Sequence, residues 1–192
     1  MPKATTTNKG RLNPISNCWI EIPREDRSRN GSLRIVMDNL PDISDSKSAT
    51  YSDEVAIGRS TPFKNYSHSD NRTISWTCHF FTTSNSTSSG TNAKQILLYL
   101  RTLEACTYPM TKSTGGAPYA PPPICHIKCG KLLSEEKPIC AILKSYSVKF
   151  DTSLPWDEES CLPYKIDVDL QFEVVYNQSD LPGAEHIMKF GA

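Results

Sequence analysis

Apolar and polar positions alternate most regularly over residues 164–176, YKIDVDLQFEVVY. Tyr164, Ile166, Val168, Leu170, Phe172, Val174 and Tyr176 fall on one side. Lys165, Asp167, Asp169, Gln171 and Glu173 fall on the other, with Val175 the apolar exception. A period of two puts successive side chains on opposite faces of a β-strand, whereas a helix would scatter these residues around its circumference. The pattern predicts a strand with one buried and one wet face. It outruns the usual strand length of about 5–6 residues, which points to an extended sheet.

The same reasoning predicts further strands. CWIEIP at 18–23 and LRIVM at 33–37 flank Asn30-Gly31, a hairpin-type turn signal, and together predict a first hairpin. Residues 39–50, rich in Asp and Ser, are expected to be a loop. A strand is expected over 51–59, with Tyr51, Val55 and Ile57 on one face, then a loop over 60–72. At 74–82, Ile74, Trp76, Cys78 and Phe80 alternate with Ser75, Thr77 and His79. A polar linker, TTSNSTSSGTN, leads to a predicted helix at about 93–108. Asn92 is its expected cap, Ile96, Leu97, Leu100, Leu103 and Cys106 its apolar stripe, and Pro109 its stop. A proline-rich loop, 111–123, delivers the chain to strands at 124–129 and 140–150. The second of these should pair antiparallel with 164–176 through the turn 151–163.

Strands dominate, and the one helix must cover one sheet face. The expected fold is therefore α+β and strand-dominated, an antiparallel sheet with one covering helix. The expected organisation is an extended or flexible arm at 1–17, a single β domain at 18–176 and a tail at 177–192. A chain of 192 residues buries roughly 70% of its unfolded surface.

Charge narrows the function. Lys and Arg number 21, as do Asp and Glu, giving zero formal net charge. This argues against a nucleic-acid binder held by bulk charge. No apolar run approaches the roughly 20 residues needed to span a bilayer, and the N-terminus lacks the apolar core of a secretory leader. Seven cysteines, an odd number, are read as thiols in a reducing cytoplasm, most of them packed as small hydrophobes.

Candidate chemistry is thin. Cys125, His126, Cys129 and Cys140 come nearest to a metal set. On an extended strand, however, Cys125 and Cys129 stand about 13 Å apart and cannot chelate one ion. No metal or cofactor is expected. Asp167, Asp169 and Glu173 share one strand face rather than facing each other across a cleft, so a solvated acidic face is favoured over an acid–base pair. Cys78 and His79, as neighbours on a strand, point to opposite faces. No phosphate loop or nucleophile elbow is present. Trp76, Tyr146, Phe150 and Phe172 are expected in the core. Trp19 and Trp156 lie beside loops and are candidate interface anchors.

The order of elements over about 50–176 carries a resemblance. A strand and a polar linker precede the helix. Then come Pro122-Pro123-Ile124 opening a strand, Ser145-Tyr146-Ser147-Val148 within the next, and the long strand from Tyr164 to Phe172. This resembles the tail-tube-related proteins of tailed bacteriophages and contractile injection systems, especially tube initiators and baseplate hubs. The resemblance implies that the sheet is of the tail-tube-like sandwich or barrel type. It implies a non-enzymatic virion protein, assembled in the host cytoplasm. It implies a ring, usually six-fold, whose sheets join around a channel for DNA passage. The implied partners are further copies of the chain, the tail tube protein and baseplate or hub proteins, with DNA passing only transiently and no membrane involved. Asp167, Asp169 and Glu173 are then candidate channel-lining residues. The arm and the 84–92 and 111–123 loops become candidate contacts. A tail terminator at the neck end, a monomeric β-sheet binding module, and a zinc- or thiol-dependent hydrolase using Cys125, Cys129 and Cys140 are the alternatives.

Overall fold

The alternating stretch at 164–176 forms an interior strand of a seven-stranded sheet. The structure is a computed structural model. It describes residues 17–23, 32–37, 39–81, 89–109, 121–133, 137–151, 153–156 and 163–176, with the side chains of 89–94 excepted. The strands are β1 (Cys18–Pro23), β2 (Ser32–Val36), β3 (Asp42–Ser46), β4 (Ala49–Glu54), β5 (Phe63–Ser69), β6 (Thr73–Phe81), β7 (Ile124–Cys129), β8 (Ile139–Phe150) and β9 (Lys165–Val174). One helix, α1 (Ser89–Ala105), lies between β6 and β7. The sheet order is β2-β1-β7-β8-β9-β6-β3, and every pairing is antiparallel. The strand-dominated α+β class expected from the sequence is the one observed. Within one chain the sheet is open, not closed into a barrel.

Register puts the apolar set on one face. Ile74, Trp76, Cys78 and Phe80 of β6 stand opposite Phe172, Leu170, Val168 and Ile166 of β9, and all eight are buried. Cys18, Ile20 and Ile22 of β1 and Cys125, Ile127 and Cys129 of β7 extend the same core. The helix seals it with Ile96, Leu100, Leu103 and Cys106, and Phe80 meets Tyr99. The connection from β6 to β7 has to pass over β9 and β8, and the helix makes that crossing. Among the described residues, no helix is long and apolar enough to cross a membrane.

Trp76 is the largest fully buried side chain, set edge-on to Phe172 with ring centroids 6.4 Å apart. Trp76→Ala is expected to cost about 3–5 kcal/mol, from lost burial plus a cavity between two strands. Urea unfolding should show a lower midpoint with an unchanged slope. A cost under about 1 kcal/mol would mean that the core is not centred here.

Five expectations need correction. The helix begins at Ser89, so Asn92 lies inside its first turn and is not the cap. It ends at Ala105 in tight turns, where Cys106 N–H donates to the Leu103 carbonyl and Thr107 N–H to the Glu104 carbonyl, before Pro109 is reached. The loops expected over 39–50 and 60–72 contain β3, the start of β4, and β5. Val55 and Ile57, expected on a strand, sit at a hairpin tip where Gly58 takes φ +89°. Phe150, expected in the core, is half-exposed at the end of β8. The arm at 1–16, the loop at 111–120, residues 84–88 and the tail at 177–192 lie outside the described residues.

β4 and β5 continue the β3/β6 hairpin outward. The ladder runs from Ser46↔Thr73, through an Asp70 N–H bond to the Ser48 carbonyl, to Ala49↔Ser69. Every residue of β4 and β5 is exposed. The distal ribbon therefore stands out from the sheet by roughly 20 Å, taking six residues at strand rise.

Candidate functional site

The polar side chains of β9 point away from the helix, onto a face that the described residues leave open to solvent. Asp167, Asp169 and Glu173 share it, as the alternation requires. None of the three is bare. His79 on β6 donates through Nδ1 to Asp167 at 2.6 Å, and Lys165 Nζ reaches the other oxygen at 2.9 Å. The Thr77 hydroxyl donates to Asp169 at 2.6 Å. Lys144 pairs with Glu173 at 2.7 Å, and Asn71 donates to the same carboxylate. These partners come from β6, β8, the start of β9 itself and the turn before β6. Their positions follow from register: His79 is opposite Asp167 and Thr77 opposite Asp169. Lys144 reaches Glu173 because the β8/β9 register shifts between Leu143 and Ser145.

Among the described residues the face is close to balanced in charge. Arg34, Lys128, Lys144, Lys149 and Lys165 stand on it with Glu21, Asp42, Asp151, Asp167, Asp169 and Glu173, five cations and six carboxylates. The sequence displays three carboxylates and one lysine on β9 alone. The structure adds the neutralising partners from neighbouring strands. Such a face offers a passing polyanion few unpaired cations, so counterion release gains little there.

Partial burial works to raise the pKa of Asp167, but the hydrogen bonds from His79 and Lys165 outweigh it and hold the carboxyl below its ordinary value. Lys144 and Asn71 lower Glu173 more directly. Both folded-state pKa values lie below the unfolded ones, so both groups stabilise the fold fully above about pH 4. That contribution is lost as pH falls through the depressed folded values. Asp167→Asn and Glu173→Gln are expected to lower the urea midpoint at pH 7, with the deficit shrinking as pH drops below about 4. A deficit independent of pH would contradict this charge-based account.

The candidate anchors differ. Trp19 lies on the polar face of β1 but is 9% exposed, covered by the Arg34 guanidinium 4.2 Å from its ring centroid. It has little surface left for a partner. Trp156 is 41% exposed and bridges to Pro163 in the β8–β9 connection. The proposed cysteine convergence does not occur. Cys125 and Cys129 are buried under the helix, whereas Cys140 is exposed and pairs in register with His126 on the opposite face. His79 stands between Asp167 and Asp42, but these meet opposite ring nitrogens, with Nε2 of His79 3.5 Å from Asp42. Among the described residues, no three His, Cys, Asp or Glu side chains converge to hold a metal ion.

Two features were not foreseen from the sequence. The first is the pair of edges. Among the described residues, no strand pairs with the outer side of β2 or of β3. The second is the exposed ribbon. Its Tyr51 and Tyr66 stack edge-on at 5.7 Å, and its tip carries Val55 (81% exposed), a wholly exposed Ile57 and Phe63. A cleft of about 740 Å³ near the ends of β7, β8 and β9 is lined by Arg72, His126, Lys137 and Tyr176 among others. Arg72 is already committed there, to Asp45 at 2.9 Å and to the Leu133 carbonyl.

No protein-family model matches this chain, and no curated protein is significantly similar to it.

Proposed function

We propose that the chain is a ring-forming structural subunit of a phage-type tail, acting as tube initiator or baseplate hub where the tail tube meets the baseplate. One observation carries the reading: an open antiparallel sheet whose own helix seals one face, whose other face is polar and nearly balanced in charge, and whose two edges have no partner strand among the described residues. Unpaired strand edges invite pairing with another chain. Head-to-tail joining of β3 in one copy to β2 in the next uses both edges and closes a ring when the rotation per subunit permits. Seven strictly alternating strands leave both edges running in the same direction, so this junction is parallel.

In such a ring the helices face outward and the polar face lines the channel. Asp167, Asp169 and Glu173 stand there with their partners, presenting little net charge to DNA in transit. The exposed ribbon reaches beyond the sheet toward a neighbouring subunit or ring. The mechanism is templating: one rim binds the baseplate, and the other presents the surface on which tube subunits add. The order of elements from the β6 strand through Pro122-Pro123-Ile124 to β9 supports placement at the tube.

Antibody labelling of intact source particles, viewed by electron microscopy, tests the placement. Label at the distal end of the tail is the expected result. Label at the neck would replace the initiator with a tail terminator. A protein found only free in the cell would overturn the virion reading in favour of a monomeric binding module.

A further inference from the structure

We infer that Cys18 and Cys129 form an oxidisable cross-strand pair that closes to a disulfide when the protein leaves reducing conditions. Their sulfurs lie 3.4 Å apart, both side chains are buried, and the residues are direct register partners on β1 and β7. The backbone fixes which kind of pair they are. Gly130 N–H donates to the Asn17 carbonyl at 2.8 Å, and Met37 N–H donates to the Cys18 carbonyl at 3.0 Å. The peptide groups of Cys18 therefore face β2, and Cys18 and Cys129 occupy a non-hydrogen-bonded site of the β1/β7 ladder. At such sites the Cα atoms approach to about 4.5 Å and the side chains are closest. That separation falls within the range of about 4.4–6.8 Å spanned by disulfides. Bond formation needs the sulfurs to close by roughly 1.4 Å, from 3.4 Å to a bond length near 2.05 Å.

Both sulfurs are buried, so a reagent reaches them through local opening of the strand ends. Cys18↔Cys129 is the last register pair of the two strands, with one further bond, from Gly130 to Asn17, beyond it, and ladder ends open at low local cost. A low-molecular-weight disulfide serves as oxidant. One protein thiolate attacks it and releases the first small thiol. The second protein thiolate then displaces the other half from the mixed disulfide. Two protein thiols become one Sγ–Sγ bond, and the small disulfide leaves as two thiols carrying the two protons. The link spans 111 residues of chain, so it removes much of the freedom of the unfolded state. This inference is independent of the ring reading.

The test uses the full chain carrying Cys140→Ser, which removes the exposed thiol as an intermolecular competitor. The protein is equilibrated with oxidised glutathione, alkylated, cut with trypsin and mapped by mass spectrometry. Trypsin cuts after Lys128, so Cys125 and Cys129 fall on separate peptides. The expected product joins the Cys18 and Cys129 peptides and is lighter than their sum by two hydrogens. Its Tm should rise by on the order of 5–10 °C, reversed by dithiothreitol. Adding Cys129→Ser should abolish both the link and the shift. Full alkylation of both residues after oxidation would overturn the inference, as would a link that joins Cys106 to Cys125 instead.

Discussion

Val36→Pro and Ile43→Pro are each expected to abolish ring assembly while leaving the subunit folded. Backbone direction selects these positions. The Met37 N–H bond to the Cys18 carbonyl shows that odd-numbered residues of β2 pair inward with β1. Ser32, Arg34 and Val36 therefore turn their peptide groups to the free edge. On the other side, Val174 N–H donates to the Arg72 carbonyl, so Thr73, Ser75 and Thr77 of β6 pair with β3. Their partners Ser46, Ser44 and Asp42 face inward, leaving Ile43 and Asp45 facing outward. Proline removes an N–H, which is tolerated on the solvent side of an edge strand and disruptive inside a ladder. Ser44→Pro is the internal contrast: it removes a ladder bond to β6 and should destabilise the subunit itself. Native mass spectrometry should show the two edge variants as monomers with unchanged circular dichroism. Variants that still assemble would show that the edges are not the junction.

In the proposed ring, neutralising the β9 carboxylates together, with Asp167→Asn, Asp169→Asn and Glu173→Gln, is expected to make the channel retain duplex DNA. The wild-type face holds Lys165 and Lys144 in ion pairs with Asp167 and Glu173. Removing the anions frees these cations and shifts each subunit by three charges, and ring symmetry multiplies the effect around one channel. Phosphate contacts formed this way release counterions, so retention should be strong at low salt. A set of about 6–10 contacts would lose roughly 10³–10⁵ in affinity between 50 and 200 mM salt. Fluorescence anisotropy with a short duplex, across a salt series, reads this directly. An assembled variant that shows no affinity at low salt would mean that the face does not line the channel.

The sequence displayed the sheet best where packing enforces alternation. β6 and β9 are buried on one face, and their apolar sets were legible to within a residue or two at each end. β3 and β5 were not legible, because DISDS and FKNYSHS lie at an edge and in an exposed ribbon, where no buried face imposes a pattern. They are strands because a partner offers them a ladder. Asp167, Asp169 and Glu173 could be placed on one face from β9 alone. Their partners could not, since His79, Lys144 and Asn71 are set by pairing between distant strands and by a register shift. The Cys18–Cys129 contact is hidden in the same way: each cysteine reads as a small core residue until β1 and β7 are aligned.

In the proposed ring the polar sheet face surrounds a channel. Cryo-electron microscopy of the purified, assembled protein tests this arrangement most directly. The predicted result is a closed ring in which β3 of one subunit pairs with β2 of the next, the helices lie outside, and Asp167, Asp169 and Glu173 face the lumen. A monomer at every concentration, or an assembly with that face packed against another subunit and no channel beside it, would contradict the account.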